Sequence, residues 1–308
     1  MLRAFGPPEN LIVTDVPDPV PAAGQAVVDV SAVSITFVET QVRAGRPPHP
    51  RMTPQLPVIL GNGVSGVVSA VGPDAGRELI GRRVVTATGG SGGYAERVAV
   101  PAAGLTEVPD GLSLTDAAAV LADGRTALAL IRAAAPEPGM TVLVEAAAGG
   151  VGSLLTQLAT RAGAKVIAAA GSARKTAVAS ELGAALTVNY AEPGWDAHQV
   201  DVVFDGVGGS VGNTAYRMLK PGGRFYGFGM ASGAFGPSTE DRPDVTVTRG
   251  VPVTPDQLPG LVKDALAEAA AGRIRPLIGQ VFPLAQAADA HAAIEKRSTI
   301  GKTLLTVG

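Results

Sequence analysis

The residues best suited to chemistry begin with a run of small side chains, Ala146-Ala147-Ala148-Gly149-Gly150-Val151-Gly152, which follows an apolar stretch and opens a helical pattern. Small residues at a strand-to-helix turn let backbone approach a pyrophosphate, whose charge the helix N-terminus favours. The same run also reads as a tight Gly-rich turn with no ligand. A second group lies roughly 20 residues further on, where a site for a dinucleotide with a free 2′-hydroxyl places Asp or Glu. Here stand Gly171 and Ser172, followed by Arg174 and Lys175. Two cations in the first turn of a helix oppose its macrodipole, and a phosphate between them reverses that sign. Ser172, Arg174 and Lys175 therefore read as receivers of a 2′-phosphate, which makes the dinucleotide NADPH. The alternative is a solvated helix start with Ser172 as its cap.

These residues need a parallel sheet beneath them, and the surrounding pattern supplies one. Apolar strands are predicted at 141–148, 164–170, 185–189, 201–204, 223–229 and 245–248, with helices at 152–162 and 174–182. Continuous apolar strands alternating with helices indicate a sheet covered on both faces. The preceding region differs. Short alternating runs at 25–30, 63–71, 83–88 and 94–100, cut by Gly and Pro, read as antiparallel strands with one short helix at 37–44. An Ala- and Leu-rich helix follows at 115–135. The last portion carries helices at 258–271 and 285–295 and a strand at 302–307, a return to the first domain.

Bulk properties bound the alternatives. A chain of 308 residues, 46% hydrophobic and 17% charged, has ample core for two domains. Net charge is −2 and no block of like charges occurs, so no nucleic acid is expected as a partner. No segment reaches the roughly 18 apolar residues of a membrane span, and Met1 to Asn10 carries no secretion signal, so a cytoplasmic location and no membrane are expected. There is no Cys, and His49, His198 and His291 are far apart, so no metal is expected. Each histidine reads as an ordinary surface or loop residue.

Over nearly its whole length, from Arg3 to Val307, the chain resembles the zinc-independent quinone oxidoreductases of the medium-chain dehydrogenase/reductase superfamily. The stretches that carry the likeness are VSITFVETQVRAG (33–45), PVILGNGVSGVVSAVG (57–72), GGYAERV (92–98), PGMTVLVEAAAGGVG (138–152), DVVFDGVGG (201–209), KPGGRFYGFG (220–229) and, within 272–305, GRIRP and IGKTLL. The resemblance implies an α/β chain with a GroES-like β domain, residues 1–115 and 273–308, and a Rossmann doubly wound parallel-sheet domain, residues 116–272. It also implies a homodimer. Carried over by position, Thr126 lies near the nicotinamide, Lys175 takes the 2′-phosphate, and Tyr190 and Arg297 contact the cofactor. Tyr190 otherwise simply finishes a strand, and Arg297 is otherwise a solvated loop residue. Phe228 and Gly229 end a strand where backbone groups can hold the nicotinamide amide, or else they are plain strand-end packing. With Gly149, Gly150, Val151, Gly152, Ser172 and Arg174, these complete the expected cofactor site.

The chain departs from the family pattern around the substrate. Thr36, Glu39 and Gln41 stand where members commonly carry Asn, Asp and Tyr; Gly63 and Arg82 replace acids; and the stretch 190–200 is shortened. Without metal ligands, the fitting substrate is already a good hydride acceptor. A quinone qualifies, because gaining hydride makes it an aromatic anion. The expected activity is an NADPH-dependent, zinc-independent reductase of a small conjugated carbonyl such as a quinone. Alternatives are an enoyl or enone reductase, with a proton supplied by water or Thr36, and an NADPH-binding sensor or structural protein with little turnover. The catalytic candidates are Thr36, Glu39, Gln41 and Arg125, against a reading in which Glu39 and Gln41 are the wet face of a short helix.

Overall fold

The valine-rich runs 25–35 and 63–71 form long strands, and the Ala-rich run 114–134 forms the longest helix. The computed structural model describes residues 1–307. In chain order the strands are β1 (Gln25–Ile35), β2 (Gly63–Val71), β3 (Arg83–Ala87), β4 (Arg97–Pro101), β5 (Thr106–Glu107), β6 (Thr141–Val144), β7 (Lys165–Ala170), β8 (Leu186–Asn189), β9 (Val200–Asp205), β10 (Leu219–Gly227), β11 (Thr246–Arg249), β12 (Ile278–Pro283) and β13 (Lys302–Thr306). The α-helices are α1 (Phe37–Arg43), α2 (Leu114–Ala134), α3 (Gly150–Arg161), α4 (Ala173–Glu181), α5 (Gly209–Arg217), α6 (Leu258–Ala270) and α7 (Ala287–Glu295).

Two compact units result. The first comprises residues 1–122, 262–273 and 278–307, and the second Asp123–Leu261 with Ile274–Leu277. The division falls inside α2 and α6, where the resemblance implies boundaries at 115 and 272. Packing explains the difference, because Val262 and Leu266 of α6 bury against Val85, Val108, Leu112 and Val120.

In the first unit seven strands run in the order β12-β13-β1-β2-β3-β5, with β4 also on β1. β1 changes partner along its length: Gln25 to Asp29 pair with β4, and Ala32 to Ile35 pair with β13. Val28, Val30, Val33, Val64, Val68, Val98 and Leu305 form its core. β-branched residues suit such a pleated, half-buried surface.

The second unit holds a six-stranded parallel sheet in the order β11-β10-β9-β6-β7-β8. The chain moves outward from β6 to β8, then starts again beside β6 at β9 and moves the other way. Strand order therefore reverses between β6 and β9, and in such sheets ligands bind beyond the carboxyl ends of the strands at that reversal. Leu143, Ile167, Val203, Phe225 and Met218 fill the core on one face. Among the described residues, no helix is long and apolar enough to cross a membrane.

Several bounds differ from expectation, each for a local reason. β6 stops at Val144 instead of 148 because Ala146 turns into the left-handed region, φ 48°. α3 starts two residues early, at Gly150. β10 runs from Leu219 only to Gly227, and β4 starts at Arg97 because Tyr94 turns to bond its N–H to Leu60 O. β5, α5 and β12 are additional elements.

Candidate functional site

The glycine run sits at the reversal point of the parallel sheet. Gly149 caps α3 without any side-chain acceptor, so the first-turn N–H groups keep no partner from the cap. A Cβ on Gly152 would strike the Ala146 carbonyl oxygen and come within 2.8 Å of its carbon. The loops after β6, β9 and β10 are equally close to one another. A Cβ on Gly206 would lie 2.8 Å from Phe228 Cζ and 3.6 Å from Ala146 Cβ, and one on Gly229 would lie 2.9 Å from Gly206 Cα. Bare backbone at a helix N-terminus is the surface a pyrophosphate needs, so these residues fit a dinucleotide.

The second expected group also assembles within this unit. Ser172 caps α4, its Oγ accepting the Lys175 N–H at 3.4 Å. Gly171 lies under the Tyr190 ring, where a Cβ would be 2.8 Å from Cε2, and Tyr190 packs edge-on against Trp195 with centroids 6.3 Å apart. Gly171, Ser172, Lys175 and Tyr190 thus surround one spot at the end of β7, with Arg174 exposed on the same turn. Tyr190 lies just past the end of β8.

Phe228 and Gly229 do not end a strand. Both of their N–H groups donate to the Asp205 carbonyl oxygen, at 2.9 and 3.2 Å, which leaves only their carbonyls for a ligand. Asp205 organises this corner and escaped the sequence reading. Its Oδ1 accepts the N–H groups of Val207 at 2.9 Å and Gly208 at 2.6 Å. The available signal was an acid ending the apolar run Val202-Val203-Phe204 just before Gly206-Val207-Gly208. Thr126 and Arg125 are half-buried on α2, and burial lowers the Arg125 pKa against the opposing charge of Asp123.

In the first unit, Thr36, Glu39 and Gln41 surround the start of α1, and there is no wet face: residues 39–43 are all buried. Glu39 Oε2 accepts the Thr36 N–H at 2.6 Å and its hydroxyl at 2.9 Å, and Oε1 accepts the Asn62 N–H at 3.0 Å. Burial raises the Glu39 pKa, opposed by those bonds and by the Lys302 charge. Its carboxylate is committed to the fold. Gln41 Nε2 donates to Thr40 Oγ1 at 3.1 Å. Glu39→Ala is expected to cost about 2 kcal/mol by stripping two backbone donors of their acceptor, measured by urea unfolding. A change below about 0.5 kcal/mol, the usual range for a surface residue, would remove that structural role.

Arg297 follows α7 in a left-handed turn, φ 54°, is exposed, and bonds its N–H to Ile294 O. His291 corrects the reading of the histidines as surface residues. It is fully buried on α7, its Nε2 lies 2.8 Å from Tyr94 Oη, and burial, aided by the Arg43 charge, lowers its pKa to about 3.

Two family models match the chain, one described as alcohol dehydrogenase GroES-like domain over residues 22–110 and one as zinc-binding dehydrogenase over 182–305. A quinone oxidoreductase of Pseudomonas aeruginosa is 33% identical over 98% of this chain and 97% of its own. The chain belongs to the zinc-independent quinone oxidoreductase family of medium-chain dehydrogenases/reductases. A 2-haloacrylate reductase of Burkholderia sp is similar too, 31% identical over 99% of this chain and 97% of its own. The crystal structure of Escherichia coli quinone oxidoreductase complexed with NADPH superposes with a TM-score of 0.90 at 30% identity, covering 99% and 98% of the two chains.

The second family model is named for zinc, and this member of the family does not fit that metal. It has no Cys, and among the described residues no three His, Cys, Asp or Glu side chains form a group able to hold a metal ion.

Proposed function

We propose that this quinone oxidoreductase family member binds NADPH on the second unit and reduces a small, electron-poor conjugated carbonyl, a quinone first of all. The observation that carries the reading is the pairing of two features at the sheet's carboxyl edge. One is the glycine cradle of Gly149, Gly150, Val151 and Gly152. The other is the turn of Ser172, Arg174 and Lys175, which has basic residues where a free 2′-hydroxyl would call for an acid. Tyr190, Thr126, Arg297 and the carbonyls of Phe228 and Gly229 belong to the same proposed cofactor site. NADPH supplies the hydride when bound. The protein's part is to orient the acceptor and donate hydrogen bonds to the oxyanion that develops. Gln41 and Arg125 are proposed as those donors and Thr36 as a hydroxyl, with Glu39 holding Thr36 in place.

The cofactor half is tested with Lys175→Ala. It is expected to weaken NADPH binding about tenfold, a loss of ~1.4 kcal/mol in keeping with one charge-assisted hydrogen bond, while NADH binding stays near its wild-type value. Equal affinity of the wild type for NADPH and NADH would remove the 2′-phosphate role. The acceptor half is tested by following NADPH oxidation with quinones, enones and enoyl thioesters. Fastest turnover of quinones supports the first reading. Fastest turnover of an alkene supports the second, which the similarity to 2-haloacrylate reductase favours. Tight NADPH binding with no turnover supports a sensor.

A homodimer in the cytoplasm completes the proposal. β11 ends the parallel sheet and leaves an edge that a second copy can extend.

A further inference from the structure

A buried pair of acids lies at the strand-order reversal, and the proposed chemistry does not use it. Glu145 is the first residue after β6, Asp205 the last of β9, and both are fully buried. Glu145 is tied across the reversal by its N–H to Phe204 O at 3.0 Å. Neither of its carboxyl oxygens accepts a hydrogen bond, and neither does Asp205 Oδ2. That Oδ2 packs against bare backbone, since a Cβ on Gly236 would lie 2.8 Å from it. Two dry carboxylates side by side require donors; the backbone bonds that form go to Asp205 Oδ1, from Val207 and Gly208, and the Val207 N–H also bears on Glu145, favouring its charged form.

We infer that Glu145 is a positioning residue for cofactor binding: it carries a proton that it donates to Asp205 Oδ2, and this bond holds the loops after β6, β9 and β10 in register. The inference rests on the cofactor reading above. The shared proton provides the one donor that the corner lacks. Asp205 then passes the constraint on, through Oδ1 to Val207 and Gly208 and through its carbonyl to Phe228 and Gly229. The Glu145 carboxyl faces Asp205, and burial first, then the Asp205 charge and hydrogen bond, push its pKa well above the ordinary glutamate range against the opposing Val207 N–H.

Other ionisable groups stand on the flanking elements: Asp201 and Lys220 at the starts of β9 and β10, Lys165 at the start of β7, Tyr216 and Arg217 at the end of α5, Arg161 at the end of α3, and Asp123 and Arg125 on α2. Among the described residues, Asp205 is the one whose charge bears on Glu145. Loss of the proton places a second anion beneath the loop proposed to receive the pyrophosphate. Between the ordinary glutamate value and the raised folded value, the folded chain holds a proton that the unfolded chain has lost. Stability therefore falls as pH rises through that window, and NADPH affinity falls as pH rises through the folded value.

The test compares wild type with Glu145→Gln, whose amide N–H donates to Asp205 at any pH, and with Glu145→Ala, which donates at none. NADPH dissociation constants are measured by fluorescence from mildly acidic to alkaline pH. Wild type is expected to weaken with rising pH by up to roughly tenfold per unit. Glu145→Gln should hold the acidic-pH affinity throughout, and Glu145→Ala should be weak throughout. Infrared spectroscopy of the ligand-free protein at neutral pH should show a protonated-carboxyl band that Glu145→Gln lacks. Absence of that band overturns the shared proton, and a pH dependence in Glu145→Gln equal to that of wild type overturns the positioning role. If wild type shows the band but binds no NADPH at any pH, the cofactor reading fails and the positioning role with it, while the shared proton stands.

Discussion

Gly152→Ala is expected to lower NADPH affinity on the order of 100-fold, a loss of ~2.7 kcal/mol, the scale of one or two charge-assisted hydrogen bonds to a phosphate that a displaced loop forfeits. Helix propensity argues the other way, since Ala in a helix interior is worth about 1 kcal/mol over Gly. Space decides the outcome. The new Cβ would drive into the Ala146 carbonyl oxygen and lie 3.0 Å from Ala147 Cα, backbone atoms that cannot swing aside. Ala146 already holds a left-handed conformation, φ 48°, so the loop has little freedom to yield. Gly260 in α6 is the control, because a Cβ there meets nothing within 4 Å. Gly260→Ala should leave binding unchanged and gain about 0.5 to 1 kcal/mol. Calorimetric titration with NADPH reads the difference, and a Gly152→Ala protein that binds like wild type would end the case for a close-fitting phosphate loop.

Arg43→Ala should produce the largest loss of stability, about 3 kcal/mol, the lower end of what breaking a buried ion pair costs. Arg43 is buried at the end of α1, its guanidinium bonded to the Glu295 carboxylate on α7 and to Gly6 O. Its removal separates three segments remote in sequence and leaves a cavity. The lower end applies because the Glu295 side chain stays 25% exposed and is hydrated once its partner is gone. The loss should not change across neutral pH. Burial is the larger reason His291 titrates at about 3, so it stays neutral without the Arg43 charge. Urea unfolding checks the prediction, and a cost below about 1 kcal/mol would class the contact with ordinary surface ion pairs.

The parts of this molecule legible in its sequence are those with a local cause. β2 occupies Gly63–Val71 as predicted, because a valine-rich run is bounded by punctuation at both ends. The alternation from β6 to β11 revealed a parallel sheet because strands buried on both faces must be apolar. α5 was missed because Gly209, Ser210, Gly212 and Asn213 are poor helix formers, held helical by packing of Ala215 and Tyr216. β12 was missed because every one of its residues is at least partly exposed.

Among the site residues, Thr36 and Glu39 did carry a readable signal, the Thr-x-x-Glu spacing of a helix start. Reading Glu39 as an acceptor contact passed over it. The pair of Glu145 and Asp205 had no such signal. Sixty residues separate the two, an interval visible only once β6 and β9 are neighbours. The same holds for Tyr94 and His291, which stand 197 residues apart.

The partner change along β1 has a consequence for the order in which the chain can fold as it is synthesised. Residues 32–35 emerge early and wait for β13, which holds the other side of that segment and is translated nearly 270 residues later. The parallel sheet is complete once Arg249 has been made. A nascent chain can therefore finish its second unit while the first still exposes the Val28, Val33 and Val64 face. That interval, with β1 held by β2 and β4 but one edge of residues 32–35 still unpaired, is when this protein has most need of a chaperone.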